Sequence, residues 1–303
     1  MLETCRHQCA YNRCMNLFAP KPPEVPERCG HARVTASPRS KAIHPGAGVL
    51  KDFDFVLNAY RGCAFGCAYC YAAFFVADFK ARADWGNWVE VKTSALEEVE
   101  AAWFLKGRRL YMSSATDPYQ PVEAKLGLTR QILELLAEEV RQPRLVIQTR
   151  GPLVTRDIDL LSRFKDVRVN MSVTTDSEAV RKQFEPTCAS IPRRLEAVRT
   201  LADAGIRTRV CVSPMLPIES VAEFADRLLE SGADQVVASP FHVTAREFAA
   251  NTREGALKLA QAVGWKRENY LETVAQLRSK LPIFTHLGDE GREDSSERKL
   301  LVG

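Results

Sequence analysis

The residues best suited to chemistry lie in one short stretch, NAYRGCAFGCAYCYA, where Cys63, Cys67 and Cys70 are spaced Cys-x3-Cys-x2-Cys. Three thiolates this close can fold around one metal centre, and Gly62 and Gly66 give the loop the backbone freedom to wrap it. Soft sulfur donors select zinc or an iron–sulfur cluster. Structural zinc needs a fourth protein ligand, and no Cys or His lies between Cys70 and Cys188. A ferredoxin-type run would carry a fourth nearby thiolate, which is also missing. Three thiolates on a four-iron cluster leave one iron open, and an open iron can chelate the amino and carboxylate groups of S-adenosylmethionine. Reductive cleavage of that sulfonium gives a 5′-deoxyadenosyl radical, while the protein positions and shields it. Tyr60, Phe65, Tyr69 and Tyr71 surround the thiolates and can exclude water or stack on adenine. A zinc loop completed by a distant residue is the structural alternative.

Alternating strands and helices must hold such a loop. Apolar, β-branched runs at 54–58, 109–113, 144–149, 167–174, 208–213 and 234–238 read as strands. Helical spacing follows them: Leu128, Ile132, Leu135 and Leu136 share one face, as do Leu195, Val198, Leu201 and Ala202, and Val221, Phe224, Ala225, Leu228 and Leu229. Two further helical patterns cover 244–262 and 266–281. Near-continuous apolar strands separated by helices predict an α/β fold with a parallel sheet, and six such units fit a barrel or partial barrel. An open doubly wound sheet is the rival. Ligands in these folds sit at the carboxyl ends of strands. Those ends read Ser113-Ser114-Ala115-Thr116-Asp117, Thr149-Arg150, Ser172-Val173-Thr174-Thr175-Asp176, Ser213-Pro214 and Ser239-Pro240-Phe241-His242. Helix capping explains any one of them; the repetition at five ends points to a ligand mouth.

The 303 residues are 46% hydrophobic and 26% charged, which excludes a wholly disordered, collagen-like or coiled-coil chain. No 18-residue apolar run or signal-peptide core appears, so the expectation is a cytoplasmic protein without a membrane partner. The 9 cysteines then read as reduced thiols that bind metal or react. A net charge of +4 and a pI near 8.5 do not argue for nucleic-acid binding, though a local basic groove is compatible with them. Four regions follow: a Cys/Pro-rich, irregular arm over 1–45, the partial barrel over 46–243, helices packed on it over 244–286, and a mobile tail over 287–303.

The cysteine spacing, with an aromatic just before the last cysteine, resembles the radical S-adenosylmethionine superfamily. The stretches FDFVLNAYRGCAFGCAYCYA, SSATDPYQPVEAKLGLTRQILELL and VIQTRGPLVTRDIDLL resemble its spore-photoproduct-lyase-like branch, also labelled DNA repair photolyase-like. The resemblance spans roughly residues 50–245 and implies a partial (β/α)6 TIM-type barrel with the cluster loop after the first strand. It implies that Cys63, Cys67 and Cys70 ligate a [4Fe-4S] cluster, with Tyr69 and Tyr71 near the adenosyl group. Ser114, Thr116 and Asp117 would approach the methionine amino group, Arg150 its carboxylate, and Ser172 and Thr174 the ribose. It further implies a lyase-like or modifying enzyme fed by a reductant such as flavodoxin or ferredoxin, abstracting hydrogen from a substrate such as damaged DNA. RNA, a peptide or a small metabolite are the other substrate classes, and a non-catalytic metal-binding module is the alternative of another kind. One departure bears on substrate: the branch's namesake carries a hydrogen-donating cysteine near the end of its second strand, where this chain reads Leu110-Tyr111-Met112-Ser113-Ser114.

Other candidates stand apart from that pattern. Cys188, in the loop EPTCAS, is placed where exposure would permit a catalytic role, and His242 follows the sixth strand within reach of a substrate. Cys211 reads as a small buried hydrophobe. Cys5, Cys9, Cys14 and Cys29, with His7 and His31, raise the question of a second metal site, but their spacing matches no defined pattern. Lys92 reads as a solvated edge charge, and Arg193 and Arg194, opening a helix, as a solvated pair by default, the alternative being that one of them meets a phosphate or carboxylate.

Overall fold

The computed structural model describes residues 24–241 and 252–284. Its strands, in chain order, are β1 (Arg28–Cys29), β2 (Ala32–Ala36), β3 (Ile43–Pro45), β4 (Phe55–Leu57), β5 (Tyr60–Gly62), β6 (Trp88–Val91), β7 (Arg109–Met112), β8 (Arg144–Thr149), β9 (Val167–Ser172), β10 (Arg207–Val212), β11 (Gln235–Ala238) and β12 (Ile283–Phe284). The α-helices are α1 (Phe79–Ala83), α2 (Ala95–Glu100), α3 (Glu123–Leu126), α4 (Leu128–Glu138), α5 (Ile158–Leu161), α6 (Glu178–Phe184), α7 (Ile191–Asp203), α8 (Val221–Glu230), α9 (Glu254–Ala262) and α10 (Arg267–Arg278).

All six expected strands form, and they are neighbours in the expected way. An 8-stranded sheet runs β12-β11-β10-β9-β8-β7-β4-β3, parallel throughout except for the antiparallel β3–β4 pair. β3 and β12 are its two edges, so the sheet is an open, partial barrel rather than a closed one. One face of each strand is apolar. Leu110, Met112, Leu145, Ile147, Val169, Met171, Val210 and Val212 share the main core with helix residues Ile132, Leu136, Leu161, Val198, Leu201, Phe224 and Leu228. This is how amphipathic helices bury their stripes against a sheet. On the other face Val56, Tyr111 and Val146 pack with Leu50 and Phe53 in a small apolar cluster, and beyond it Gln148, Asn170, Ser172, Arg209 and Cys211 sit side by side in register across β8 to β10. A doubly wound sheet would be apolar on both faces; this polar inner face is what a barrel that opens onto a ligand requires.

The segment upstream of the barrel differs from the expected irregular arm. Its described part forms β1, β2 and β3. β2 pairs parallel with β6, β6 pairs antiparallel with β5, and a second sheet of order β1-β2-β6-β5 results. The Glu98 carboxylate of α2 accepts from the backbone N–H of Ala42 and Ile43 at 2.7 and 3.0 Å, fixing the entry to β3. Composition concealed these strands because their pairing partners are remote. Residues 1–23 (with Cys5, His7, Cys9 and Cys14), 242–251 (with His242) and 285–303 lie outside the described residues. Among the described residues, no helix is long and apolar enough to cross a membrane.

Candidate metal and cofactor site

The loop carrying the three cysteines leaves β5, which the small sheet holds, rather than β4 directly. Its shape depends on two glycines in left-handed conformation, Gly62 at φ 75° and Gly66 at φ 57°. A Cβ on Gly62 would lie 2.6 Å from both the carbonyl oxygen and a ring carbon of Trp88, so only glycine fits. Thr116 Oγ1 donates to the Gly62 carbonyl at 2.6 Å and accepts from Gln120 Nε2 at 3.0 Å, while Gln120 Oε1 accepts from Ala64 N at 2.9 Å. The carboxyl end of β7 is thereby stitched to the loop's first turn.

A second stitch comes from residues 184–188. Ala68 N donates to the Phe184 carbonyl at 2.8 Å, and Thr187 Oγ1 donates to the carbonyls of Ala64 and Phe65 at 2.8 and 2.7 Å. Cys188 is therefore not an exposed loop thiol, as expected from sequence, but buried beneath the cysteine loop, its Sγ 3.7 Å from Cys67 Sγ. The Phe184 ring and the Thr187 hydroxyl draw this loop inward.

Cys63 and Cys67 are buried and Cys70 is partly exposed. Burial, and then the charges of Asp117 and the neighbouring thiols, hold the Cys63 thiol well above its usual range, and burial pushes Cys70 up to about 11. Cys67 is lowered, first by its hydrogen bond with Cys188 and then, against burial, by Arg150. A metal must displace protons from such thiols, so the loop is costly to leave empty and ionised. Among the described residues, no three ligand side chains converge tightly enough to hold a single metal ion. Three soft thiolates on one wrapping loop match the donor set of a multinuclear iron–sulfur cluster, and Cys188 beside Cys67 is a further thiol within reach of the same loop. On donor chemistry and loop shape the residues fit a [4Fe-4S] cluster.

Beside the thiols lies a charged lattice centred on Glu185, a residue that sequence reading passed over. Glu185 is fully buried. Its Oε1 accepts from Arg150 Nη1 and Thr174 Oγ1, both at 2.8 Å, and from the Tyr69 hydroxyl; its Oε2 pairs with Arg194 Nη2 at 2.5 Å. Arg150 Nη1 also donates to the Tyr69 hydroxyl at 2.7 Å, and its guanidinium lies over the Tyr69 ring. Burial alone would raise the Glu185 carboxyl, but Arg194 and Arg150 outweigh it and hold the group at about 2. Arg194 is thus not a solvated helix-opening charge: it is fully buried, and it also donates to the Ala189 and Ser172 carbonyls at 2.9 and 3.2 Å. Arg193 is exposed, as expected.

The structure brings the other anticipated residues to the same mouth in differing ways. Tyr71 donates to the Ser114 carbonyl, and the Ser114 and Ala115 amides donate to Asn58 Oδ1, another residue missed from sequence. Ser172 Oγ accepts from Gln148 Nε2 at 2.9 Å. Asp117 is occupied by its own scaffold: Thr149 Oγ1, Tyr119 N and Arg150 N donate to it at 2.7, 2.9 and 2.8 Å, so it holds the end of β8 in place. Lys92 is buried, donates to the Lys41 carbonyl at 2.7 Å, and is lowered by burial to about 8, unlike the solvated charge expected. Cys211 is buried on β10. Cys29 belongs to the apolar core, and the His31 ring bonds the Gly86 carbonyl.

A sequence model of the radical SAM superfamily matches residues 57–229. An uncharacterised protein of Methanocaldococcus jannaschii is 35% identical over 177 residues, a match covering 58% of this chain and 65% of that protein, so slightly under two thirds of that relative is spanned. An uncharacterised protein of Acidianus two-tailed virus is 31% identical over 217 residues, covering 65% of this chain and 70% of its own. Among solved structures, spore photoproduct lyase complexed with dinucleoside spore photoproduct superposes with a TM-score of 0.57 at 15% identity, covering 83% of this chain and 81% of that one, a likeness of fold.

Proposed function

Because the chain belongs to the radical S-adenosylmethionine superfamily, whose cofactors are a [4Fe-4S] cluster and S-adenosylmethionine, we propose that Cys63, Cys67 and Cys70 hold the cluster and that the polar strand ends hold the nucleotide. The observation that carries this reading is the three-cysteine loop stitched, through Thr116 and Glu185, to the very strand ends that would grip the cofactor. When bound and reduced, the cluster supplies the electron that cleaves the sulfonium to a 5′-deoxyadenosyl radical. Arg150 then faces the methionine carboxylate and Ser114 and Thr116 lie toward the amino group. Asp117 fixes the Arg150 backbone. Tyr69 and Tyr71 flank the adenosyl group, and Ser172 and Thr174 lie toward the ribose. Phe65, buried in the same apolar cluster as Cys63 and Cys67, excludes water from the thiols, whereas Tyr60, expected beside them, lies in the main core and donates to Glu123.

The enzyme in this reading abstracts hydrogen from an organic substrate, receiving its electron from a flavodoxin- or ferredoxin-type reductant. Damaged DNA is the first substrate to examine, supported by the fold shared with spore photoproduct lyase and by the quoted sequence resemblance. The β7 end, Met112-Ser113-Ser114, offers no thiol there, so a repair reaction here draws its returning hydrogen from another group. Anaerobic reconstitution, dithionite reduction and chromatography test the core reading: 5′-deoxyadenosine forms with the wild type, falls in Ser172→Ala and is lost in Arg150→Ala, while iron content persists in both. A protein that retains metal, does not bind S-adenosylmethionine and ignores both substitutions is a structural metal module instead. UV-damaged and undamaged oligonucleotides, followed by mass, test the substrate; no binding and no mass change removes the repair reading.

A further inference from the structure

The two oxygens of Glu185 are divided between two arginines in a way that leaves one edge of Arg150 unspent. Oε2 is ion-paired with Arg194 Nη2 at 2.5 Å, outside hydrogen-bond angles, and Arg194 is anchored by the Ala189 and Ser172 carbonyls. Oε1 alone remains for Arg150, and it meets only Nη1. The usual two-pronged arginine–carboxylate pairing, which would consume the fork, is therefore blocked. Among the described residues no hydrogen bond is made by Arg150 Nε or Nη2, and its side chain is 17% exposed where that of Glu185 is 0% exposed. The same Oε1 takes the Tyr69 hydroxyl, so the aromatic next to Cys70 is set by the carboxylate that sets Arg150.

We propose that Glu185 is a positioning residue for S-adenosylmethionine: it locks Arg150 by one edge and Tyr69 by its hydroxyl, presenting the Nε–Nη2 edge to the methionine carboxylate. This rests on the cofactor reading of Arg150 given above. An unrestrained arginine would pay side-chain entropy on each binding event, and one already fixed through Nη1 pays little. Arg194 is part of the device, because it denies Arg150 the second oxygen.

The test measures S-adenosylmethionine affinity by anaerobic calorimetry on cluster-loaded wild type, Glu185→Gln, Arg150→Ala and the double variant, with iron content and thermal midpoint recorded for each. Glu185→Gln keeps the side-chain volume while removing the charge that holds Arg150. It should weaken binding about 10- to 100-fold, the usual effect of losing an outer positioning partner, at near wild-type iron content. Added to Arg150→Ala, Glu185→Gln should weaken binding far less than it does alone, the residual loss being what Glu185 exerts through the Tyr69 hydroxyl. Wild-type affinity in Glu185→Gln, or additive losses in the double variant, overturns the positioning role alone. A wild type that takes up no cluster or no S-adenosylmethionine overturns the reading of the site and this proposal with it.

Discussion

Replacing Gly62 by alanine puts the cysteine loop under a strain that can be worked from the structure. The residue sits at φ 75°, and an added Cβ would meet the Trp88 carbonyl oxygen and ring at 2.6 Å. A left-handed conformation costs a non-glycine residue about 1–2 kcal/mol. Neither neighbour can retreat cheaply, since the indole is buried and Gly62 is paired with Val89 in the β5–β6 ladder, so overpacking adds about 1–3 kcal/mol. The total, about 2–5 kcal/mol, is a large share of the roughly 5–15 kcal/mol that stabilises a domain. Gly48 is the control: it has φ +58° with nothing within 4 Å of a built Cβ, so alanine there carries only the conformational cost. At about 2–4 °C per kcal/mol, Gly62→Ala should lower the thermal midpoint by on the order of 10 °C and Gly48→Ala by about half that or less. Reconstituted iron per chain should fall in the first and hold in the second, because only Gly62 borders a thiol. Equal midpoints and equal iron in the two variants would refute the argument that Trp88 constrains the loop.

Other consequences are sharper about charge. Glu185 is held at about 2 against an ordinary 4.5, a depressed carboxyl, so its contribution is full above about pH 4.5 and fades as pH falls toward 2. The stability gap between wild type and Glu185→Gln, on the order of 3 kcal/mol near neutrality, should therefore shrink over that window in denaturant titrations; a gap independent of pH would contradict it. Arg194→Met strips a fully buried pair of its cation and should cost about 3–5 kcal/mol by urea unfolding. Cys188→Ala should keep iron content and 5′-deoxyadenosine formation, whereas Cys67→Ala should lose both; equal loss from Cys188→Ala would show that the buried thiol serves the cluster directly.

What could be read from sequence follows from how local each signal is. The strands of the barrel announce themselves as apolar runs, and α4, α7 and α8 as repeating stripes, because each buries its own face against the same core. The three cysteines are contiguous, so their chemistry is legible without a fold. β1 to β3 are not, since their stability comes from partners such as Val89 opposite Val34 and Leu57 opposite Ile43. Glu185 and Arg194 are hidden for the same reason: a charge at the end of α6 and another at the start of α7 look solvated until folding brings them against Tyr69, Arg150 and Thr174. Asn58, two residues before Tyr60, gives no sign that its amide oxygen will organise the far end of β7.

The ladder that joins β2 to β6 and β6 to β5 bears on how this chain can be shortened. A version begun at residue 46, where composition places the edge of the barrel, would strip one of the two strand partners from Trp88–Val91 and leave the strand that launches Cys63 with a loosened splint. Trimming there should yield a protein that still expresses yet bleaches quickly in air. Any useful truncation has to start ahead of Arg28.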